Sequence, residues 1–528
     1  MKRALWKSCL MGAGLAVVSA CTPTTHDAVT TTGGAPQLFT LEPAQDRAVL
    51  QRTADSYLAT LLAAPANEQV TLIKVNPAVV SRDTQELAVT LPDGKTARFH
   101  LRDFTTITPG IEGWIGYKPS DLTQAQAAAS SEIDIDPRYY LSIVREGDKL
   151  VGSLVVDGQL YQLDHVGPGR NALIKVDESK LPAHGKPLVP NHGGDRAGRQ
   201  AQSAHSTIRV LFVTTNQSRA TRPNNRAELA KALNDANQYM RNSDVAITFE
   251  LAGYYDADYD ETGRTYSQQL DDIRLARPFG ADVLKVRETL RADLVSMYST
   301  ATQFCGMAWL SSPKVQAHSV VSCAGSLAHE LGHNLGVNHG WNPGDKVSNP
   351  PYMHGYRSTV APAFHTQMVT SHGALPYFSN PRLRYQGSAM GTVEHHDAAR
   401  RLNERRETVE NFYPPATNLV TIEVFSETNF QGNSCYMSVE YPGAQQVSPS
   451  GSACKGKVTI PRSARIRNLA PERALCWRSA GSYLGCYSAA EAGDFEHANL
   501  NSVSGLPSHI KYSYYGQALP LEVYHGPW

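Results

Sequence analysis

The sequence predicts a multidomain protein: an α+β domain over residues 38–183, an α/β domain with a mixed twisted sheet over residues 206–414, and an all-β, Greek-key-like domain over residues 420–528. Three observations carry this reading. A chain of 528 residues is too long for one ordinary hydrophobic core. Its hydrophobic pattern changes twice, from strand-like alternation to a strand, helix, strand order and then to short strands between Gly, Ser, Asn and Pro. Hydrophobic residues reach 41%, far from the low-hydropathy, high-charge regime of disordered chains. Lys+Arg and Asp+Glu both number 49, so no bulk field favours a polyanion, and nucleic acid is excluded as an expected partner.

Residues 1–20 carry a positive start (Met1, Lys2, Arg3, Lys7), an apolar run from Leu10 to Val18, and small residues before Cys21. This is the layout of an export signal, and the run is too short to span a bilayer as a finished helix. Val18-Ser19-Ala20-Cys21 resembles a bacterial lipoprotein signal, which implies lipidation at Cys21 and a membrane anchor. Simple secretion with cleavage near Ala20 is the alternative. Thr22 after Cys21 is compatible with outer-membrane sorting, and residues 21–37 read as a flexible tether.

Thr71-Leu72-Ile73-Lys74-Val75 and Leu150 to Val156 alternate as strands in the first domain. Residues 184–205, rich in Pro, Gly, His, Gln and Arg, read as an exposed linker open to cleavage. His184 and His192 fall in it as polar linker residues. Beyond it, Ile208 to Val213 reads as a buried strand, and Arg226 to Arg241 has helical spacing through Leu229, Leu233, Ala236 and Met240. Val245, Ile247, Phe249 and Leu251 alternate again, so a sheet with crossover helices is expected. A further helix is expected around Val283 to Arg291.

The segment Ser326 to His339 decides the chemistry. His329 and His333 are four apart, so on a helix both imidazoles face one ion. Glu330 stands beside them, placed to take a proton from a water that zinc has acidified. Gly336 permits a positive φ that ends the helix and turns His339 back as a third ligand, leaving the fourth position open. Leu327, Leu331 and Leu335 form the apolar stripe of the same helix.

This segment resembles the signature of the metzincin zinc endopeptidases, and the similarity extends beyond it, closest to the reprolysin-like and peptidyl-aspartate metalloendopeptidase group. Phe304 to Leu310 and Ser319 to Cys323 resemble the strands that precede the zinc helix. Phe364 to Val369 resembles the Met-turn, which implies Met368 as an apolar floor beneath the metal, with Met353 as the alternative. Leu375 to Pro381 and Asp397 to Asn403 resemble the stretches that follow. Tyr356 is a candidate metal or transition-state contact by the same resemblance, against its ordinary reading as a packed loop aromatic. His395 and His396 read as solvated or core residues.

Six cysteines remain after Cys9 and Cys21, an even number in an exported chain, and local pairing gives Cys305–Cys323, Cys435–Cys454 and Cys476–Cys486 among 15 pairings open to the sequence. A β-rich segment ahead of a metzincin domain resembles a propeptide, so the chain is expected to be a zymogen. No cysteine between Cys21 and Cys305 offers a blocking thiolate, and Asp177 and Glu178 are the carboxylates weighed in its place. Val424 to Gly432 resembles the first hairpin of a βγ-crystallin Greek key, and Leu500 to Gly505 its later serine-bearing loop. Arg462-Ser463-Ala464-Arg465 lacks the acids of calcium-binding members, which leaves Ca2+ a doubtful ligand.

The reading is an exported, lipid-anchored zinc endopeptidase of the cell envelope that hydrolyses peptide bonds in protein or peptide substrates, using one Zn2+ and Glu330. A non-catalytic adhesin or glycan-binding lipoprotein with a structural zinc is the alternative. Glu330 argues against it, because a structural site needs a fourth protein ligand and no base.

Overall fold

In the computed structural model, residues 34–190, 201–414, 419–440 and shorter stretches up to residue 525 are described. The signal, Cys21, the run 191–200 and the loop Asn501 to Gly505 lie outside them. Alternating residues of the first domain build nine antiparallel strands, in spatial order Phe39–Leu41, Asn67–Val75, Arg170–Val176, Gln159–Gly167, Lys149–Val156, Ile135–Glu146, Ile111–Pro119, Thr96–Thr108 and Glu86–Thr90. The two edges of this sheet approach each other. Leu38 N donates to Ala88 O (2.9 Å) and Ala88 N to Pro36 O (2.9 Å), so the sheet curls into a near-barrel. Its inward residues, among them Phe99, Trp114, Leu141 and Leu154, form one buried cluster. Trp114 satisfies its indole N–H on Thr84 O at 2.9 Å.

Three short helices, Arg47–Thr53, Ser56–Ala63 and Gln124–Ser130, accompany the sheet and are capped by Asp46, Asp55 and Thr123. The expected α+β class is therefore met only coarsely. Strands as long as Thr96–Thr108 supply the core by curling on themselves, and little helix is needed to cover it.

The second domain has a five-stranded sheet in the order Ile247–Asp256, Ser206–Thr214, Leu294–Tyr298, His318–Val321, Gly306–Ala308. The first four strands are parallel and Gly306–Ala308 is an antiparallel edge. The helix Asn225–Asn242 connects the first parallel pair, and the predicted helix near Val283 runs over Phe279–Leu290. Asn225–Asn242 buries apolar residues on the sheet side while its other face meets the near-barrel. There Lys231 pairs with Asp235 (2.7 Å), Tyr140 OH donates to Asp235, and Asn242 Nδ2 donates to Tyr117 OH (2.9 Å).

The third domain comprises two four-stranded antiparallel sheets. The Cys435–Cys454 disulfide is formed, and Tyr436 OH accepts from Tyr254 N at 2.8 Å, tying this domain to the second. Cys476 and Cys486 are opposite partners in their strand pair, although their side chains lie outside the described residues. Among the described residues no helix is long and apolar enough to cross a membrane.

Candidate metal centre

The helix Leu327–Asn334 is buried along its whole length, because it lies between the core and the edge of the five-stranded sheet. Leu327, Leu331 and Leu335 enter the main core. Asn334 Nδ2 donates to Trp309 O (2.9 Å) and His318 O (3.2 Å), which fixes the helix against the strands above it. The Cys305–Cys323 disulfide joins the edge strand to the start of the helix.

The helix stops at Asn334, and Gly336 carries a φ of +93°. A Cβ there would also lie 2.8 Å from Arg401 Nε and from Ser311 Oγ, so both the turn and the space require glycine. The chain then reverses and delivers His339. Its amide donates to Asn338 Oδ1 (2.8 Å), and its carbonyl accepts from His354 Nδ1 (2.6 Å).

The Nε2 atoms of His329, His333 and His339 lie 3.1 Å from one another in all three pairs. No set of tautomers satisfies all three contacts, since a ring nitrogen is either a donor or an acceptor. At His333 the question is settled by Nδ1–H, which donates to Val337 O at 2.7 Å and leaves Nε2 with its lone pair. A cation resolves the triangle. Tetrahedral zinc at about 2.0–2.1 Å from nitrogen needs N···N separations of about 3.3–3.4 Å, close to those found. Burial holds all three imidazoles neutral, pushing His339 down to about 4 and His329 and His333 well below their usual value.

Glu330 is fully buried beside the triangle, and neither of its carboxylate oxygens has a hydrogen-bond partner. Burial pushes its pKa well above the carboxylate range. Gly306 makes room for it, because a Cβ there would lie 2.5 Å from Glu330 Oε1. Beneath the helix is Met368, fully buried, whose Sδ lies 2.7 Å from where a Cβ on Gly332 would stand. Met353 is elsewhere, and its carbonyl accepts from Asn338 N at 2.6 Å. Tyr356 packs edge-on to Phe364 and His396. His395 stacks on Trp341 (ring centroids 3.8 Å apart), and His396 is held by Thr392 Oγ1 (2.8 Å) and Trp341 O (3.0 Å).

The expected exposed linker departs from the sequence reading at its start. Residues 183–188 lie beside Cys305–Leu310: Cys305 N donates to Ala183 O (2.9 Å), Gly185 N to Gly306 O (2.8 Å), Leu188 N to Ala308 O (2.9 Å) and Leu310 N to Leu188 O (2.8 Å). The reason is an open sheet edge, which accepts almost any extended segment through its backbone. His184 is thereby held, mostly buried, over the centre. Its ring stacks on His329 with centroids 3.9 Å apart and an angle of 5°, and its Nδ1 lies 3.7 Å from Glu330 Oε1. His372, on the loop after Met368, stands 5.1 Å from the His184 ring and donates from Nε2 to Pro182 O (2.8 Å).

His184, His354 and His372 were missed as site residues by sequence reasoning. None is spaced from the zinc motif in a way that signals contact, and only folding brings them to it.

Residues 226–340 match the family described as Metallo-peptidase family M12B Reprolysin-like. The chain is 30% identical over 377 residues to a protein of Stenotrophomonas maltophilia strain K279a named peptidyl-Asp metalloendopeptidase, covering 67% of this chain and 89% of that one. A protein of the same name from Stenotrophomonas maltophilia strain R551-3 is 31% identical over 389 residues, covering 69% and 92%. One from Xanthomonas campestris pv. campestris is 29% identical over 397 residues, covering 71% and 93%.

Proposed function

The chain belongs to the reprolysin-like metallopeptidases and is a zinc metalloendopeptidase, and on that premise we propose how its own residues divide the work. His329, His333 and His339 hold the metal. When bound, zinc polarises the scissile carbonyl and acidifies a water. Glu330 takes the proton of that water and returns it to the leaving amine. Its placement favours this, since both carboxylate oxygens stand beside the triangle without a hydrogen-bond partner. Met368 is the apolar floor under the helix, and Gly306 gives Glu330 the room to move.

The observation that carries this reading is the triangle of Nε2 atoms 3.1 Å apart beside an unpartnered buried carboxylate. The test is peptide cleavage by Glu330→Gln. The amide keeps the shape but cannot take the proton, so kcat should fall by about 10²- to 10⁴-fold with zinc content unchanged. A variant keeping more than about a tenth of wild-type kcat removes Glu330 from the role of base.

The near-barrel over residues 38–183 is read as a pro-region, with residues 184–205 as the segment cut to release the protease. Supporting this, residues 183–188 occupy the edge of Gly306–Ala308 and His184 covers His329 and Glu330. A substrate cannot share that position. The name of the relatives further supports a preference for aspartate in the peptide.

The third domain is read as βγ-crystallin-like. Its hairpin has φ of +57° and +60° at Asn429 and Phe430 and +77° at Gly432, and Ser463 Oγ braces it by donating to Glu427 O at 2.6 Å. Cys21 is taken as the lipid attachment that keeps the protein on the envelope, and Cys21→Ser should move it from the detergent-soluble membrane fraction to the soluble one.

A further inference from the structure

Two hydrogen-bond donors at the mouth of the cleft are satisfied only by the segment read as the pro-region. The first is Gly373 N, which donates to Glu178 Oε1 at 3.1 Å. The second is His372 Nε2–H, which donates to Pro182 O at 2.8 Å. Both acceptors leave when the near-barrel separates from the second domain.

The loop that carries these donors is braced from behind. Arg357 Nη2 donates to Ser371 Oγ, and His365 Nε2 contacts Ser371 O at 3.1 Å. Gly373 aims its amide from a left-handed conformation, φ +81°, which another residue adopts only under strain. Glu178 is partly buried in this setting, and burial raises its pKa above the usual carboxylate value, with the His372 ring and the Gly373 amide opposing the rise only in part. The place therefore already holds a carboxylate. It is also close to the chemistry, because the His372 ring lies 5.1 Å from His184, whose ring stacks on His329.

We propose that His372 and the Gly373 amide form the subsite for an acidic side chain of the substrate, and that Pro182 O and Glu178 take its two donors in the uncleaved chain. This rests on the endopeptidase reading with its aspartate preference. Once the segment read as the pro-region leaves, the His372 and Gly373 donors, which Pro182 O and Glu178 Oε1 take separately in the uncleaved chain, ask for two acceptors. An ionised carboxylate offers both, whereas the isosteric asparagine amide offers one acceptor and turns N–H groups toward the other donor. An unmatched donor is penalised, so aspartate is selected over asparagine.

The test uses the full chain, assayed as purified and after limited digestion with trypsin, on matched peptides that differ only by Asp or Asn at one position. Wild type should cleave the Asp peptide with the higher kcat/KM. In His372→Leu the ratio of Asp to Asn kcat/KM should fall by about ten- to a hundredfold, the loss expected for a hydrogen bond to a charged group. His372→Gln, which keeps an N–H donor, should retain part of the ratio. Zinc content and melting temperature measured on each variant report the fold. In the uncleaved chain Glu178→Ala, which takes the acceptor away from Gly373 N, should raise activity several-fold.

The outcomes separate the two readings. A wild type that prefers Asp together with a His372→Leu protein that keeps the full ratio overturns the subsite and leaves the aspartate preference standing. A wild type indifferent to Asp and Asn overturns the preference and the subsite with it. A chain that cleaves neither peptide in any form overturns the endopeptidase reading on which both rest.

Discussion

Replacing Gly185 by alanine will raise the activity of the uncleaved chain. An added Cβ would stand 2.8 Å from Gly306 O, 3.0 Å from Met307 Cε and 3.1 Å from Phe304 Cγ. The methionine end can swing aside, but the carbonyl is backbone in a sheet strand and cannot. To reach an ordinary contact the segment must lift by about half an ångström, which loosens the Gly185–Gly306 hydrogen bond and the neighbouring Cys305–Ala183 bond, 2.8 and 2.9 Å long. Overpacking of this kind costs about 1–3 kcal/mol. With every 1.4 kcal/mol worth tenfold, the population with an open cleft rises by about 5- to 140-fold. A fluorogenic peptide assay on chain shown by electrophoresis to be intact reads this directly. His184→Ala, which keeps the strand pairing but removes the ring over Glu330, is the companion variant and should also raise activity. The reasoning is refuted if intact wild type is already as active as the processed protein. It is also refuted if both variants match intact wild type with normal zinc content.

Two further outcomes follow from other parts of the molecule. His333→Ala removes one corner of the Nε2 triangle and should leave the purified protein with little zinc by elemental analysis; a full equivalent would break the assignment. Asp164 sits where the near-barrel meets the second domain, accepting from Tyr57 OH (2.5 Å) and Asn224 Nδ2 (2.6 Å), and burial followed by nearby Glu228 pushes it up to about 7. A carboxyl raised above its unfolded value stabilises fully below about pH 4 and loses that contribution as pH rises toward 7. The melting temperature of wild type should therefore fall over that window more than that of Asp164→Asn, and parallel profiles would contradict the assignment.

How much of this was legible in the sequence depends on the distance over which each constraint acts. The metal ligands could be read because they are set by one helix and one turn: a spacing of four from His329 to His333 fixes a shared face, and Gly336 has to accept a positive φ. The helix Asn225–Asn242 and the strand Ser206–Thr214 were legible for the same local reason, since periodicity is a property of neighbours. The near-barrel was not. Alternation predicts strands, but the closure of Leu38 onto Ala88 depends on curvature summed over nine of them, which no window of sequence contains.

The cleft occupant was hidden by a different kind of physics. Docking on the edge of Gly306–Ala308 is made by backbone N–H and C=O groups, which every residue but proline offers alike, so composition reports only a polar, Pro- and Gly-rich linker. What is particular to residues 183–188 is subtractive. Gly185 is there because a side chain would strike Gly306 O, and His184 sits over His329 because the backbone pairing on either side of it delivers the ring there. Such requirements are written across 120 or more residues of separation, between the end of one domain and the edge of another. For this reason the histidine that covers the centre reads, in sequence, like His192, whose position lies outside the described residues. The same contact that made it illegible also makes it reversible, because a segment laid on a sheet edge by backbone hydrogen bonds and a stacked ring can leave together with the near-barrel without unfolding the second domain, whereas a side chain rooted in the helix cannot.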